Sequence, residues 1–278
     1  MDRIAERLGI DERKLVKSMD VIGDIAIIKV PEELIDLKFE IGKAIIDELK
    51  YIKVVFRQAS EVSGIYRLRR LEWLAGERRS TTIYVEHGCR FMVDVEKVYF
   101  SPRLSNERIR IANLVEDGET VINMFAGVGP YSIIIAKKKP KTIVYSIDIN
   151  PEAVRLHIEN CRLNKVQDRV KVIQGDSFKI LKEELIGVAD RVLMPLPERA
   201  LEGVDAALSG LKDRGFIHVY LHVPYRLGEK EALSEAIELV RSKILKLGVK
   251  KAEFKANRVR EVKTRVLQVC VDAFVEKS

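Results

Sequence analysis

From residue 120 onward, short β-branched runs alternate with segments whose apolar residues recur at helical spacing. The runs predict strands over residues 121–125, 142–147, 170–174, 191–194, 215–221, 251–254 and 266–273. Between them, residues 151–164 read as a helix with Asn150 as its cap and Pro151 in its first turn. Strands alternating with helices predict a parallel, doubly wound α/β sheet. The first hundred residues are patterned differently. A partly helical start is followed by strands over 21–30, 53–56, 66–74, 81–84 and 89–95, with a helix over 34–49. These predict a smaller α+β unit. Ser101 and Pro102 start another helix that runs to about residue 115. The expected domains are 1–97 and 98–278.

The most specific local pattern is Val121-Ile-Asn-Met-Phe-Ala-Gly-Val-Gly-Pro-Tyr-Ser132. A β-branched strand enters a glycine turn at Gly127 and Gly129, and an apolar helix follows. The next strand ends in Asp148, whose carboxylate can accept both hydroxyl hydrogens of a ribose. The glycines are expected to let a ligand approach the backbone. Ser132 stands where a dinucleotide-binding turn has its third glycine, which favours S-adenosylmethionine over a pyrophosphate-bearing cofactor. Ligands of open α/β sheets bind at the carboxyl ends of the strands. Four loops should meet there. Phe125, Ala126, Gly127 and Gly129 lie in the first, and Asp148 with Ile149 in the second. Asp176 follows the third strand, where it could accept from an adenine amino group, and Pro195 follows the fourth.

Composition narrows the class. The chain has 278 residues, 47% hydrophobic and 33% charged, with a net charge of +7. That describes a globular protein with a sizeable core and suits a nucleic-acid partner without establishing one. No apolar run reaches the ~20 residues of a bilayer span. The first residues carry no apolar signal region, so a cytoplasmic protein is expected. Cys89, Cys161 and Cys270 are dispersed and odd in number, giving no metal spacing and no disulfide framework. Abundant Lys, Glu and Ile fit a heat-adapted source.

Several motifs occur together in both predicted domains. They are Val21-Ile-Gly-Asp-Ile-Ala26, Gly64-Ile-Tyr-Arg-Leu-Arg69, Val98-Tyr-Phe-Ser-Pro-Arg103, Asn106-Glu-Arg108 and Met124-Phe-Ala-Gly-Val-Gly-Pro130. From about residue 15 to the C-terminus the chain resembles two sister families: the archaeal and eukaryotic tRNA (guanine37-N1)-methyltransferases and the wybutosine-synthesis tRNA aminocarboxypropyltransferases. The resemblance implies a Rossmann-like class I methyltransferase sheet behind a smaller N-terminal α+β domain that contacts tRNA. It implies S-adenosylmethionine as cofactor, the anticodon region of tRNA as partner, and neither metal nor membrane. A monomer is expected.

The resemblance also implies roles for residues. Glu107 matches a general base, and Arg67 matches an arginine placed at the target base's oxygen. Tyr99 and Arg103 are candidates for base contact, although core packing and an ordinary ion pair explain them equally well. Glu107 could instead be a surface residue paired with Arg103 or Arg110, and Arg67 one exposed charge among Arg67, Arg69 and Arg70. Three departures from the methyltransferase pattern favour aminocarboxypropyl transfer to the wyosine precursor, 4-demethylwyosine. Pro195 replaces an asparagine that helps hold guanine, Asn123 replaces an acidic residue, and the extra N-terminal domain of the methyltransferases is expected to be absent. In that reaction the cofactor's relocated carboxylate would need a cation, for which Arg108 is the candidate, with the Ser101 hydroxyl as a second donor. The guanosine N1-methyltransferase and a non-catalytic tRNA-binding module are the alternatives; a nicotinamide oxidoreductase lacks a second mononucleotide half.

Overall fold

The computed structural model describes residues 2–15 and 19–278, so part of the expected helical start lies outside it. The chain forms two compact units, one ending at Arg103 and the other comprising Leu104–Ser278.

In the first unit, β1 (Met19–Ile22), β2 (Ile25–Ile28), β3 (Val54–Gln58) and β4 (Leu71–Gly76) form a sheet in that order. Only the β2–β3 pairing is parallel. α1 (Asp2–Leu8) and α2 (Lys38–Glu48) supply Ile4, Ala5, Ile41, Ala44 and Ile45 to the core that also takes Ala26, Ile28, Val55 and Leu74. β5 (Thr81–Glu86) and β6 (Cys89–Asp94) make a separate hairpin.

Three expectations change here. The run over 21–30 is a hairpin rather than one strand. Gly23 turns it with φ +58, where a Cβ would lie 2.2 Å from Thr82 Oγ1. The strand expected over 66–74 starts only at Leu71, because residues 59–70 form a projecting turn. Residues 98–103 group with the first unit, so the division falls after Arg103 rather than at 97/98. The buried Phe100 ring sits 5.0 Å from Tyr84 and 6.5 Å from Phe91, which holds this segment to the hairpin.

The second unit carries α3 (Ser105–Leu114), β7 (Thr120–Asn123), α4 (Pro130–Lys138), β8 (Ile143–Asp148), α5 (Pro151–Leu163), β9 (Val170–Gln174), α6 (Ser177–Glu183), β10 (Ala189–Met194), α7 (Val204–Gly210), β11 (Leu211–Pro224), α8 (Glu229–Leu245), β12 (Lys251–Lys263) and β13 (Val266–Glu276). Its sheet runs β12-β13-β11-β10-β7-β8-β9. The five strands from β11 to β9 are parallel, as the alternation predicts, and β13 and β12 are antiparallel additions.

Side chains alternate across a strand. Ile217, Val219, Val269 and Val271 thus join the apolar core with Leu181 of α6, Ala207 of α7 and Ala236 of α8. His218, Tyr220, Cys270 and Asp272 lie on the opposite face, in the register pairs His218–Asp272 and Tyr220–Cys270. No described helix is long and apolar enough to cross a membrane.

Candidate active site

The loops at the carboxyl ends of the parallel strands are tied to one another by backbone hydrogen bonds. Met124 N donates to Leu193 O at 3.0 Å, Ala126 N to Ile147 O at 2.9 Å, and Gly175 N to Asp148 O at 3.0 Å. These bonds fix the positions of Phe125, Ala126, Asp148 and Asp176. The Asp148 carboxylate accepts from Gly127 N at 2.6 Å and from Asn150 N at 2.9 Å. Burial raises its pKa, while the Asn150 and Gly127 amides oppose the rise. The Ile149 amide bears on the same carboxylate, which leaves about one of its four lone-pair positions for a ribose hydroxyl. Ile149 follows, 43% exposed.

The two glycines have different tasks. Gly127 adopts φ +55, which presents its N–H to Asp148. Gly129, with φ +92, was expected to make room for a ligand, but a Cβ there would lie 2.3 Å from the His157 ring of α5. Its missing side chain lets the turn sit on a helix. Ser132 also has a local reason. Its buried hydroxyl accepts from Asn123 Nδ2 at 3.1 Å and meets Ser146 Oγ at 2.7 Å, joining β7, β8 and α4. The Asn123 oxygen accepts from Phe125 N at 3.4 Å, so the whole amide is engaged within the turn.

Asp176 caps α6 by accepting from Phe178 N at 2.9 Å, leaving its second oxygen for a ligand. Phe178 meets Phe125 edge to face with centroids 6.1 Å apart, and Arg199 covers the Phe178 ring at 4.7 Å. An apolar residue two positions after the Gly175-Asp176 pair was the available signal for Phe178. Pro195 is half-buried in the loop after β10.

α3 brings Glu107 onto the polar face of β11 and β13. Glu107 is buried. It accepts from Tyr220 Oη at 2.6 Å and from Arg110 at 2.7 and 2.8 Å. The expected partnership with Arg110 therefore exists, but in the interior rather than on the surface. Arg110 also donates to Asp272 at 2.7 and 3.2 Å, and Asp272 meets His218 Nδ1 at 2.6 Å. His218 Nε2 lies 2.7 Å from Arg191, which is paired with Glu119 at 2.8 Å. An arginine can only donate, so Nε2 accepts and the His218 proton is on Nδ1, pointing at Asp272.

Burial works against the Asp272 charge, but the bonds from His218 and Arg110 outweigh it and hold its pKa well below the ordinary value. Burial lowers the His218 pKa, with Asp272 opposing. His218, Cys270 and Asp272 are close enough to hold an ion, but both His218 nitrogens and the Asp272 oxygens are engaged in this chain. Arg108, also buried, lies near enough to Tyr131 to act on its hydroxyl electrostatically.

In the first unit, Arg67 stacks over the Tyr99 ring at 4.3 Å, so these two candidates do come together. Ser101 is largely buried. Arg103 pairs with Asp20 at 2.8 Å and Arg69 approaches the same carboxylate at 3.4 Å, so the ordinary ion pair holds for Arg103.

Residues 82–249 match the model described as the TRM5/TYW2 methyltransferase domain, and residues 2–80 match the TYW2 N-terminal domain. The chain is 42% identical over 82% of its length to a tRNA 4-demethylwyosine(37)-methyltransferase of Saccharolobus solfataricus, covering 86% of that protein. It is 41% identical over 94% of its length to a tRNA (guanine(37)-N(1))-methyltransferase of Pyrococcus abyssi, covering 75% of it. A tRNA(Phe) (4-demethylwyosine(37)-C(7)) aminocarboxypropyltransferase of Methanocaldococcus jannaschii is 31% identical over 92% of the chain and 97% of that protein. The solved TYW2 of P. horikoshii in complex with MeSAdo superposes with a TM-score of 0.82 at 30% identity, over 100% of this chain and 99% of that one. The chain belongs to the TRM5/TYW2 family of S-adenosylmethionine-dependent tRNA-modifying transferases.

Proposed function

We propose that this protein methylates 4-demethylwyosine at position 37 of tRNA. The observation that carries the proposal is the 42% identity to a methyltransferase of that base, against 31% to the aminocarboxypropyltransferase. Of the departures from the guanosine pattern, Pro195 bears on the base rather than on the group transferred. A proline offers neither a side-chain amide nor a backbone N–H to a guanine edge. Asn123 loses its bearing on cofactor pose, because Ser132 and Phe125 engage its amide.

Bound S-adenosylmethionine supplies a methyl carbon on a cationic sulfur that leaves as a neutral thioether. Asp148 would hold a ribose hydroxyl, and Ile149, Phe125 and the second Asp176 oxygen would frame the adenine. Glu107 would receive at a carboxylate oxygen the proton that the methylated ring atom loses, and Tyr220 and Arg110 fix the direction of that carboxylate. Arg67, oriented by the Tyr99 ring, has the chemistry to stabilise negative charge growing on the base's oxygen.

A second reading, aminocarboxypropyl transfer to the same base, is favoured by the match of residues 2–80 to the TYW2 N-terminal domain. The buried Arg108 would then receive the cofactor's carboxylate.

The test is incubation with tRNA carrying either guanosine or 4-demethylwyosine at position 37, followed by mass spectrometry of nucleoside and by-product. A methylated 4-demethylwyosine with S-adenosylhomocysteine is expected. Methylthioadenosine as by-product would establish the second reading, and methylated guanosine with the precursor untouched would overturn both.

A further inference from the structure

Residues 59–70, between β3 and β4, form a tongue stiffened by its own hydrogen bonds. Ala59 N donates to Arg70 O at 2.8 Å, and Arg70 N to Ser60 Oγ at 2.9 Å. Further out, Ser63 and Leu68 exchange both backbone bonds, at 2.9 and 3.1 Å. The tip is therefore a defined four-residue turn. Gly64 has φ +72, and Arg67, not a glycine, has φ +54. A left-handed arginine costs about 1 kcal/mol and persists only where its surroundings fix it. Here Arg67 N donates to Gly64 O at 3.1 Å, and the guanidinium lies on the Tyr99 ring.

This strained turn presents an apolar side chain to solvent. Ile65 is 70% exposed, beside Tyr66 at 38%. Leaving an isoleucine in water forgoes roughly 1–2 kcal/mol of burial. The surroundings are basic. The turn carries Arg67, Arg69 and Arg70; Arg69 also approaches Asp20 at 3.4 Å, and Glu61 is paired with Lys29 at 3.1 Å. A stiff apolar point with cationic flanks complements a polyanion whose bases can be unstacked. One isoleucine is too little apolar surface to insert into a membrane.

We infer that Ile65 is a wedge that enters the anticodon loop and occupies the place of base 37 when that base leaves the stack. The inference rests on the tRNA reading and deepens it. Extruding a base costs a few kcal/mol of stacking, and an apolar side chain filling the gap offsets part of that. Arg67, two residues along the same turn, is the residue that the family resemblance puts at the base's oxygen. The turn thus joins the group that opens the stack to the group that holds the opened base.

The probe is an anticodon stem–loop with 2-aminopurine at position 37, whose fluorescence rises when the base unstacks. The wild-type protein should raise it severalfold. Ile65→Ser should bind the same RNA within about threefold of wild type yet lose most of the rise, and with full substrate its kcat should fall roughly tenfold. Ile65→Phe should restore both. A full rise with Ile65→Ser, or wild-type binding without a rise, overturns the wedge while leaving tRNA binding intact. Failure of the wild type to bind the stem–loop overturns the tRNA reading itself.

Discussion

Gly129 and His157 show how much one contact decides at the candidate cofactor site. With φ +92 and a would-be Cβ 2.3 Å from the imidazole, Gly129→Ala combines backbone strain with a steric clash. We expect a loss of about 2–4 kcal/mol in urea unfolding. An unchanged midpoint would show that the turn does not need this close packing. The imidazole brings a pH dependence of its own. Burial lowers the His157 pKa from 6.5 to about 3. The unfolded chain binds a proton near pH 6.5 that the folded chain refuses until about pH 3. Stability from this group is therefore complete above 6.5 and is lost as pH falls toward 3, by up to about 1.4 kcal/mol per pH unit. His157→Leu removes the proton. Between pH 7.5 and pH 5 its unfolding free energy should fall less than that of wild type, by about 2 kcal/mol. Parallel pH profiles of the two proteins would refute this.

At the scale of elements, α3 is tied to β11 and β13 through charged and hydrogen-bonded side chains. Glu107 and Arg110 are three residues apart on α3, while Tyr220, Asp272 and His218 come from the two strands beneath. Removing one member of a buried charged set leaves its partners uncompensated. Arg110→Met should cost roughly 3 kcal/mol, at the low end for such pairs because the Arg110 side chain is 26% exposed. Thermal unfolding reads this directly, and a melting temperature matching wild type would argue that water replaces the ion pair. Tyr220→Phe keeps the ring and deletes one hydrogen bond to Glu107. We expect kcat to drop about tenfold with KM for tRNA unchanged, because only the direction of the carboxylate is loosened. An unaltered kcat would exclude Tyr220 from positioning Glu107. Apart from the Glu107–Arg110 pair, whose three-residue spacing is local, this connectivity is not written in local pattern. The Asn150 cap and the glycine turn are set by nearby residues, and they were legible in the sequence; the bond from Gly127 N to Asp148 was not. Arg191 reaches His218 across 27 positions, His218 reaches Asp272 across 54, and Arg110 reaches Asp272 across 162. Periodicity reports which face is buried, not which charge meets which. For the same reason Arg103 could be named but its partner Asp20 could not.

For the molecule as a whole, the net charge of +7 becomes informative once it is located. Many basic residues are neutralised where they stand: Arg79 by Asp24, Arg103 by Asp20, Arg110 by Glu107 and Asp272, and Arg191 by Glu119. The surplus must lie elsewhere, and two places stand out. One is the tongue with Arg70. The other is β12, an edge strand longer than the expected residues 251–254, whose Lys255 and Lys263 are exposed. Lysines on an edge strand also discourage strand pairing between copies, so β12 alone does not argue for RNA. Salt dependence separates the two explanations. If basic side chains contact phosphates, each contact releases counterions and the affinity falls as a power of salt concentration. With about five contacts, binding of tRNA should weaken on the order of a hundredfold between 50 and 200 mM salt. Replacing Lys255 and Lys263 together by glutamine should lower the slope of log affinity against log salt by about 1 to 2 units if β12 touches the backbone. It should leave the slope unchanged if those lysines only protect the edge. Replacing Arg70 by glutamine asks the same question of the tongue. A wild-type slope near zero would mean that the positive surplus is not used on RNA.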